Sequence, residues 1–169
     1  MKNKIILLLL SFIILSGCKT DTREQPFDSF VYSYAAMDME YSIKFNEGDT
    51  VYFQKRYPKP ASNYFAVVKD AQRDSIIALA SQVDFAKYDS LYVDPTLSDA
   101  EKFKFYKQKD NKIYWVYVAD RNGPKELFKL AIQFNEFAKH LNFQPYNGKI
   151  DFGNLKHIEL PTPPPMPAN

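Results

Sequence analysis

The feature that most constrains the fold is a pattern of two alternating segments, joined by a turn and followed by a helix. Tyr41–Phe45 (YSIKF) alternates apolar and polar residues, Asn46–Asp49 (NEGD) favours a turn, and Thr50–Gln54 (TVYFQ) continues as a second strand. Apolar residues then recur at helical spacing from Asp70 to about Val83. This order predicts a hairpin that packs against its own helix.

The same order occurs again further along the chain. Lys102–Tyr106 (KFKFY) alternates, Lys109–Lys112 (KDNK) favours a turn, and Ile113–Ala119 (IYWVYVA) continues as a strand. A helix is predicted from Pro124 to about Leu141, with proline in its first turn. Its apolar stripe consists of Leu127, Leu130, Ala131, Phe134, Phe137, Ala138 and Leu141. Hairpin, helix, hairpin, helix predicts an α+β fold: an antiparallel sheet of four to five strands with two helices packed on one face.

The strand at Ile113–Ala119 is apolar on both of its faces. Ile113, Trp115 and Tyr117 lie on one face, and Tyr114, Val116 and Val118 lie on the other. Two helices cover only one face of a sheet, so the second face needs other cover. An N-terminal strand at 30–36, the C-terminal tail, a second copy of the chain and a partner protein are the alternatives.

The N-terminus has the three parts of a secretory signal peptide. Lys2 and Lys4 precede the apolar run Ile5–Leu15, which is too short to span a membrane, and small residues lead to Cys18. Leu15–Cys18 (LSGC) resembles the lipobox of bacterial lipoproteins. The resemblance implies cleavage before Cys18, the only cysteine, and lipidation of its sulfur with acyl chains such as palmitate. An ordinary signal peptide with a chance cysteine is the alternative.

These features divide the chain into four parts. Residues 1–17 are the predicted signal peptide, residues 18–29 the lipidated N-terminus and tether, and residues 30–143 a single α+β domain. Residues 144–169 are predicted to form a loop and a flexible tail, because proline dominates the final stretch. Removal of the signal peptide takes away two lysines and leaves 20 basic and 20 acidic residues. This balance gives no drive toward nucleic acid.

The predicted location is the cell envelope, with the membrane contacted through the lipid on Cys18. Lys19, and not aspartate, follows the cysteine. Aspartate at this position is an inner-membrane retention signal in some Gram-negative bacteria, so we expect the outer membrane. The mixed charges after Cys18 leave open whether the protein faces the periplasm or the cell surface.

Catalytic and metal-binding patterns are missing from the sequence. His140 and His157 do not form a zinc motif or accompany a nucleophile, so we expect no metal and no cofactor. Asp94, Asp99 and Glu101 are the acids nearest to a paired-carboxylate arrangement, which makes a hydrolase the least favoured alternative. The better explanation for them is solvated loop acids, and the chain is predicted not to be an enzyme.

Lysine and tyrosine concentrate on the second hairpin. Lys102, Lys104 and Tyr106 share one face of their strand, and Tyr114 lies on the next strand. These residues are the candidate surface for an acidic envelope protein or an anionic glycan. The alternative is a charged sheet edge that resists aggregation.

The region from Tyr41 to about Leu141 resembles a family of small Bacteroidota-type lipoproteins whose shared domain has no assigned function. The resemblance is carried by YSIKF, Gly48 in the turn, TVYF, DFAKY at Asp84–Tyr88, and the second hairpin and helix. It implies no catalytic residues. We therefore expect a non-enzymatic, lipid-anchored binding or assembly module. The alternative is an immunity or inhibitor protein against an envelope-targeted toxin or hydrolase.

Overall fold

The computed structural model describes residues 25–97 and 101–158. The predictions on the signal peptide, Cys18, Asp99 and the prolines from Pro161 onward lie outside the described residues. The strands are β1 (Ser29–Ala35), β2 (Glu40–Asn46), β3 (Thr50–Tyr57), β4 (Ser62–Val67), β5 (Leu91–Val93), β6 (Lys102–Lys109), β7 (Lys112–Ala119) and β8 (Gln144–Pro145). The helices are α1 (Asp70–Ser81) and α2 (Lys125–Lys139). Neither helix is long and apolar enough to cross a membrane.

The strands form one sheet in the order β5-β7-β6-β1-β2-β3-β4-β8. Strand β1 lies at its centre, with Ser29 opposite Asn46 of the first hairpin and opposite Gln108 of the second. The predicted α+β class is confirmed. The predicted four to five strands understate the sheet, and it is mixed, because β5 pairs parallel to β7. Strands of two or three residues, such as β8 and β5, are too short to show a period of alternation.

One face of the sheet and both helices share a core that is rich in aromatic rings. Phe134 of α2 is completely buried there, and its ring centroid lies 5.3 Å from those of Phe30 and Tyr32 and 5.5 Å from that of Phe105. Further members are Ile43, Phe45, Val51, Ile76, Leu79, Phe103, Val116, Val118, Leu127 and Leu130. Aromatic side chains bury large areas, so this cluster contributes much of the apolar burial of the fold.

The second face of the sheet is covered in part by residues 150–158, which we call the C-terminal strap. Phe152 of the strap packs with Val31 and Tyr106. Ile158 packs with Tyr117 and Ala35, the latter on β1. Of the alternatives for covering this face, the chain's own C-terminal segment is therefore the one that packs on it. The packed body of the described residues therefore includes the C-terminal strap.

Gly153 lets the strap approach the sheet closely. Its φ is +66°, and a Cβ atom at this position would lie 2.8 Å from the ring of Tyr106. A larger residue would meet both the strain of the left-handed backbone and this contact. The glycine thus fixes how closely the strap crosses β6.

Candidate ligand-binding pocket

The structure does not bring the four predicted binding residues together on one surface. Lys104 and Tyr106 are buried beneath the C-terminal strap, and Lys104 is only 2% exposed. Tyr114 is 38% exposed but lies on the opposite face, where its ring contacts that of Phe85. Lys102 is partly exposed at the start of β6. Alternate residues of β6 face the strap, so Lys104 and Tyr106 are not presented to solvent together with Lys102 and Tyr114.

Lys104 fastens the strap to the sheet. Its ammonium donates hydrogen bonds to the carbonyl oxygens of Asn154, at 2.7 Å, and Lys156, at 3.1 Å. The same group lies 5.0 Å from the ring centroid of Trp115, a cation–π geometry. Burial, with a contribution from the charge of Lys156, lowers the pKa of Lys104 from 10.5 to about 8. Lys104 therefore has a structural role, which is to hold the strap against the sheet.

This lowered pKa predicts a pH dependence of stability. Between pH 8 and pH 10 the unfolded chain keeps a proton on Lys104 that the folded chain has given up. The contribution of Lys104 to the free energy of unfolding should therefore increase as the pH rises through this range. Below this range the added contribution should be absent. The measurement is the difference in unfolding free energy between the wild type and Lys104→Met, taken at intervals across the range. A difference that stays constant across this range of pH would contradict the prediction.

The acids considered as hydrolytic residues form hydrogen bonds with neighbouring groups, where the structure describes them. The carboxylate of Asp94 accepts hydrogen bonds from the backbone N–H of Thr96 at 2.8 Å and from its hydroxyl at 2.6 Å. These bonds lower the pKa of Asp94. Glu101 is exposed and hydrogen-bonds Tyr34. Within residues 25–97 and 101–158 no group of three acid, histidine or cysteine side chains could hold a metal ion.

A pocket with a volume of about 560 Å³ opens between the sheet and α2. Its sheet side comes from the ends of β1, β2 and β3, and its helix side from the C-terminal half of α2. The lining residues are Tyr34, Met39, Glu40, Tyr41, Phe53, Lys55, Tyr57, Ile132, Asn135, Glu136, Ala138, Lys139 and Phe143. The volume and the largely apolar lining are typical of small-molecule sites.

The phenol and amide groups of the pocket region carry no charge. The hydroxyl of Tyr41 donates a hydrogen bond to Oδ1 of Asn135. The hydroxyl of Tyr32 is buried close to this pair, and interaction with the side chain of Asn135 offsets a small part of the effect of burial on its pKa. Burial raises the pKa of Tyr32 and Tyr41 well above the ordinary value, and burial together with Glu101 raises that of Tyr34 to about 12. All three phenols are therefore neutral near pH 7.

The rim of the pocket carries exposed apolar side chains. Ile132 is 60% exposed, and Met39 and Tyr57 are also exposed beside it. Ile132 lies outside the apolar stripe of α2, so burial against the sheet does not account for an isoleucine at this position. It is the one sequence signal that could have indicated the pocket. The tyrosines gave no signal, because strands favour tyrosine for packing alone.

The charged residues of the lining are paired, with one exception. Glu40 accepts a hydrogen bond from Nε of Arg56 at 2.5 Å, and Glu136 forms an ion pair with Lys139 at 2.6 Å. Lys55 stands opposite Tyr41 in the sheet register and is exposed. Across the described ranges its ammonium has no ion-pair partner. The pocket therefore presents one uncompensated positive charge.

Comparison with models of known protein families and with curated proteins gives no match for this chain.

Proposed function

We propose that the protein is a lipid-anchored binding module of the cell envelope, and that it takes an apolar ligand or group into the pocket between β1–β3 and α2. The observation that carries the proposal is the pocket of about 560 Å³ with apolar walls and an exposed apolar rim. The proposed anchor is supported by the sequence LSGC at Leu15–Cys18, which resembles the lipobox.

The exposed apolar side chains at the rim of the pocket leave hydrophobic surface in contact with water. Exposed apolar area that surrounds a concave site is typical of surfaces that bind something, because burial of that area stabilises the complex. The aromatic walls of Tyr34, Tyr41 and Phe53 are held by contacts with one another, with centroid distances of 5.4 Å for each neighbouring pair. A site that is already formed loses little conformational entropy when a ligand enters it.

Binding in the pocket is tested by photo-crosslinking in living cells. A photoreactive phenylalanine analogue is placed at Met39, on the rim, and at Tyr114, on a distant part of the sheet. The position at Met39 should yield a specific adduct, and Ile132→Glu should abolish it because a carboxylate at the mouth opposes an apolar occupant. Ile113→Glu is the matched control, since Ile113 is 57% exposed and far from the pocket lining.

The outcomes decide between the alternatives. Adducts of equal yield at Met39 and Tyr114, or no effect of Ile132→Glu, would contradict the proposal. An adduct with a toxin or hydrolase would favour the inhibitor alternative over a ligand-binding or assembly role.

The proposed lipid anchor on Cys18 can be tested separately. Cys18→Ala should move the protein from the membrane fraction to the soluble fraction, because a lipid on this sulfur is the proposed attachment. Cell fractionation and immunoblotting measure the change, and Ser16→Ala serves as the control. Continued membrane retention of the Cys18→Ala variant would contradict lipidation.

A further inference from the structure

The charges at the pocket suggest which chemical class of ligand it takes. We propose that the pocket binds an amphipathic monocarboxylate, whose apolar part lies against the aromatic walls and whose carboxylate meets the ammonium of Lys55. This inference rests on the proposed function and adds the ligand class to it.

The apolar part of the proposed ligand is inferred from the aromatic walls of the pocket. Phe53 and Phe143 line the pocket with ring centroids 5.1 Å apart, and Tyr41 continues the same aromatic surface. A saturated chain or ring system removes this surface from water without needing hydrogen bonds. A sugar would leave several hydroxyl groups without partners on such walls, which costs free energy.

The negative charge of the proposed ligand is inferred from the ion pairs among the charged residues of the pocket lining. The carboxylates of Glu40 and Glu136 are already held by Arg56 and Lys139. Lys55 is the lining cation for which the described residues supply no counterion. A carboxylate at the mouth would gain a charge-assisted hydrogen bond there, whereas an ammonium group would meet a like charge.

The test compares ligands that share a chain and differ in charge. The full-length lipoprotein is placed in lipid nanodiscs, and binding of radiolabelled decanoate and decanol is measured by equilibrium dialysis, with empty nanodiscs as background. The wild type should bind decanoate more tightly than decanol. Lys55→Met should weaken decanoate binding about fivefold and leave decanol binding unchanged, because an exposed ion pair is lost. Lys55→Arg, which keeps the charge, should bind decanoate within about twofold of the wild type.

A matched control and two outcomes make the inference falsifiable. Lys112→Met removes an exposed lysine on the second hairpin and should not change either affinity. Equal binding of decanol and decanoate, or decanoate binding that Lys55→Met does not weaken, would overturn the carboxylate inference and leave the binding pocket in place. No saturable binding of either compound would also overturn it, and the crosslinking at Met39 would then decide the proposed function separately.

Discussion

Phe134→Ala is expected to lower the free energy of unfolding by about 4 kcal/mol, because it removes a large buried ring and leaves a cavity that the surrounding rings cannot fill. Phe134 is completely buried and packs against Phe30, Tyr32 and Phe105, three rings from the central strands β1 and β6. Urea denaturation followed by circular dichroism measures the change.

Phe137→Ala on the same helix is the control for Phe134→Ala. Phe137 is only partly buried, so the same chemical change should cost clearly less there. Equal losses for the two variants, or a loss below about 1 kcal/mol for Phe134→Ala, would contradict the central role of this ring in the core.

Removal of Glu40 is expected to have a similarly large effect. Arg56 and Glu40 are both buried, and the guanidinium also donates to the hydroxyl of Ser42 at 2.5 Å. Glu40→Leu would leave a buried positive charge without its counterion, and such changes cost about 3–5 kcal/mol. The free energy of unfolding in urea provides the measurement.

A double-mutant cycle shows whether the effect comes from the broken pair. Arg56→Met added to Glu40→Leu removes the remaining charge, so the double variant should be more stable than Glu40→Leu alone, because an apolar replacement of a buried pair is often close to neutral. Additive losses in the double variant would mean that the two residues stabilise the fold independently, which contradicts the paired arrangement.

The hairpins could be predicted because their signals are local. The turn predicted between β6 and β7 consists of Asp110 and Asn111, whose φ angles of 50° and 61° suit residues that tolerate the left-handed region. The alternation of Tyr41–Phe45 is also a local signal, and its apolar residues Tyr41, Ile43 and Phe45 pack in the core as the alternation predicts. The position of β1 in the middle of the sheet is a long-range pairing, and no local pattern encodes it.

The strap and the pocket could not be predicted for a related reason. Phe152 and Ile158 are isolated apolar residues in a segment without periodicity, and only their contacts with β1, β6 and β7 show that they are buried. The same contacts bury Lys104 and Tyr106, two of the four residues predicted to bind a partner, and alternation along β6 gave no sign of this. The pocket depends on how far α2 covers the ends of three strands, and alternation within a single strand carries no information on that distance.

The direction of β1 has a consequence for where the pocket lies relative to the proposed anchor. The chain enters the body at Gln25 and Phe27, beside the turn at Gly48, whereas Tyr34 and Tyr57 line the pocket at the other end of the strands. Seven residues of β1 separate these ends by about 20 Å. If the chain is attached through Cys18, as proposed, the pocket therefore lies at the end of the sheet that is farther from the point where the attached segment enters the body.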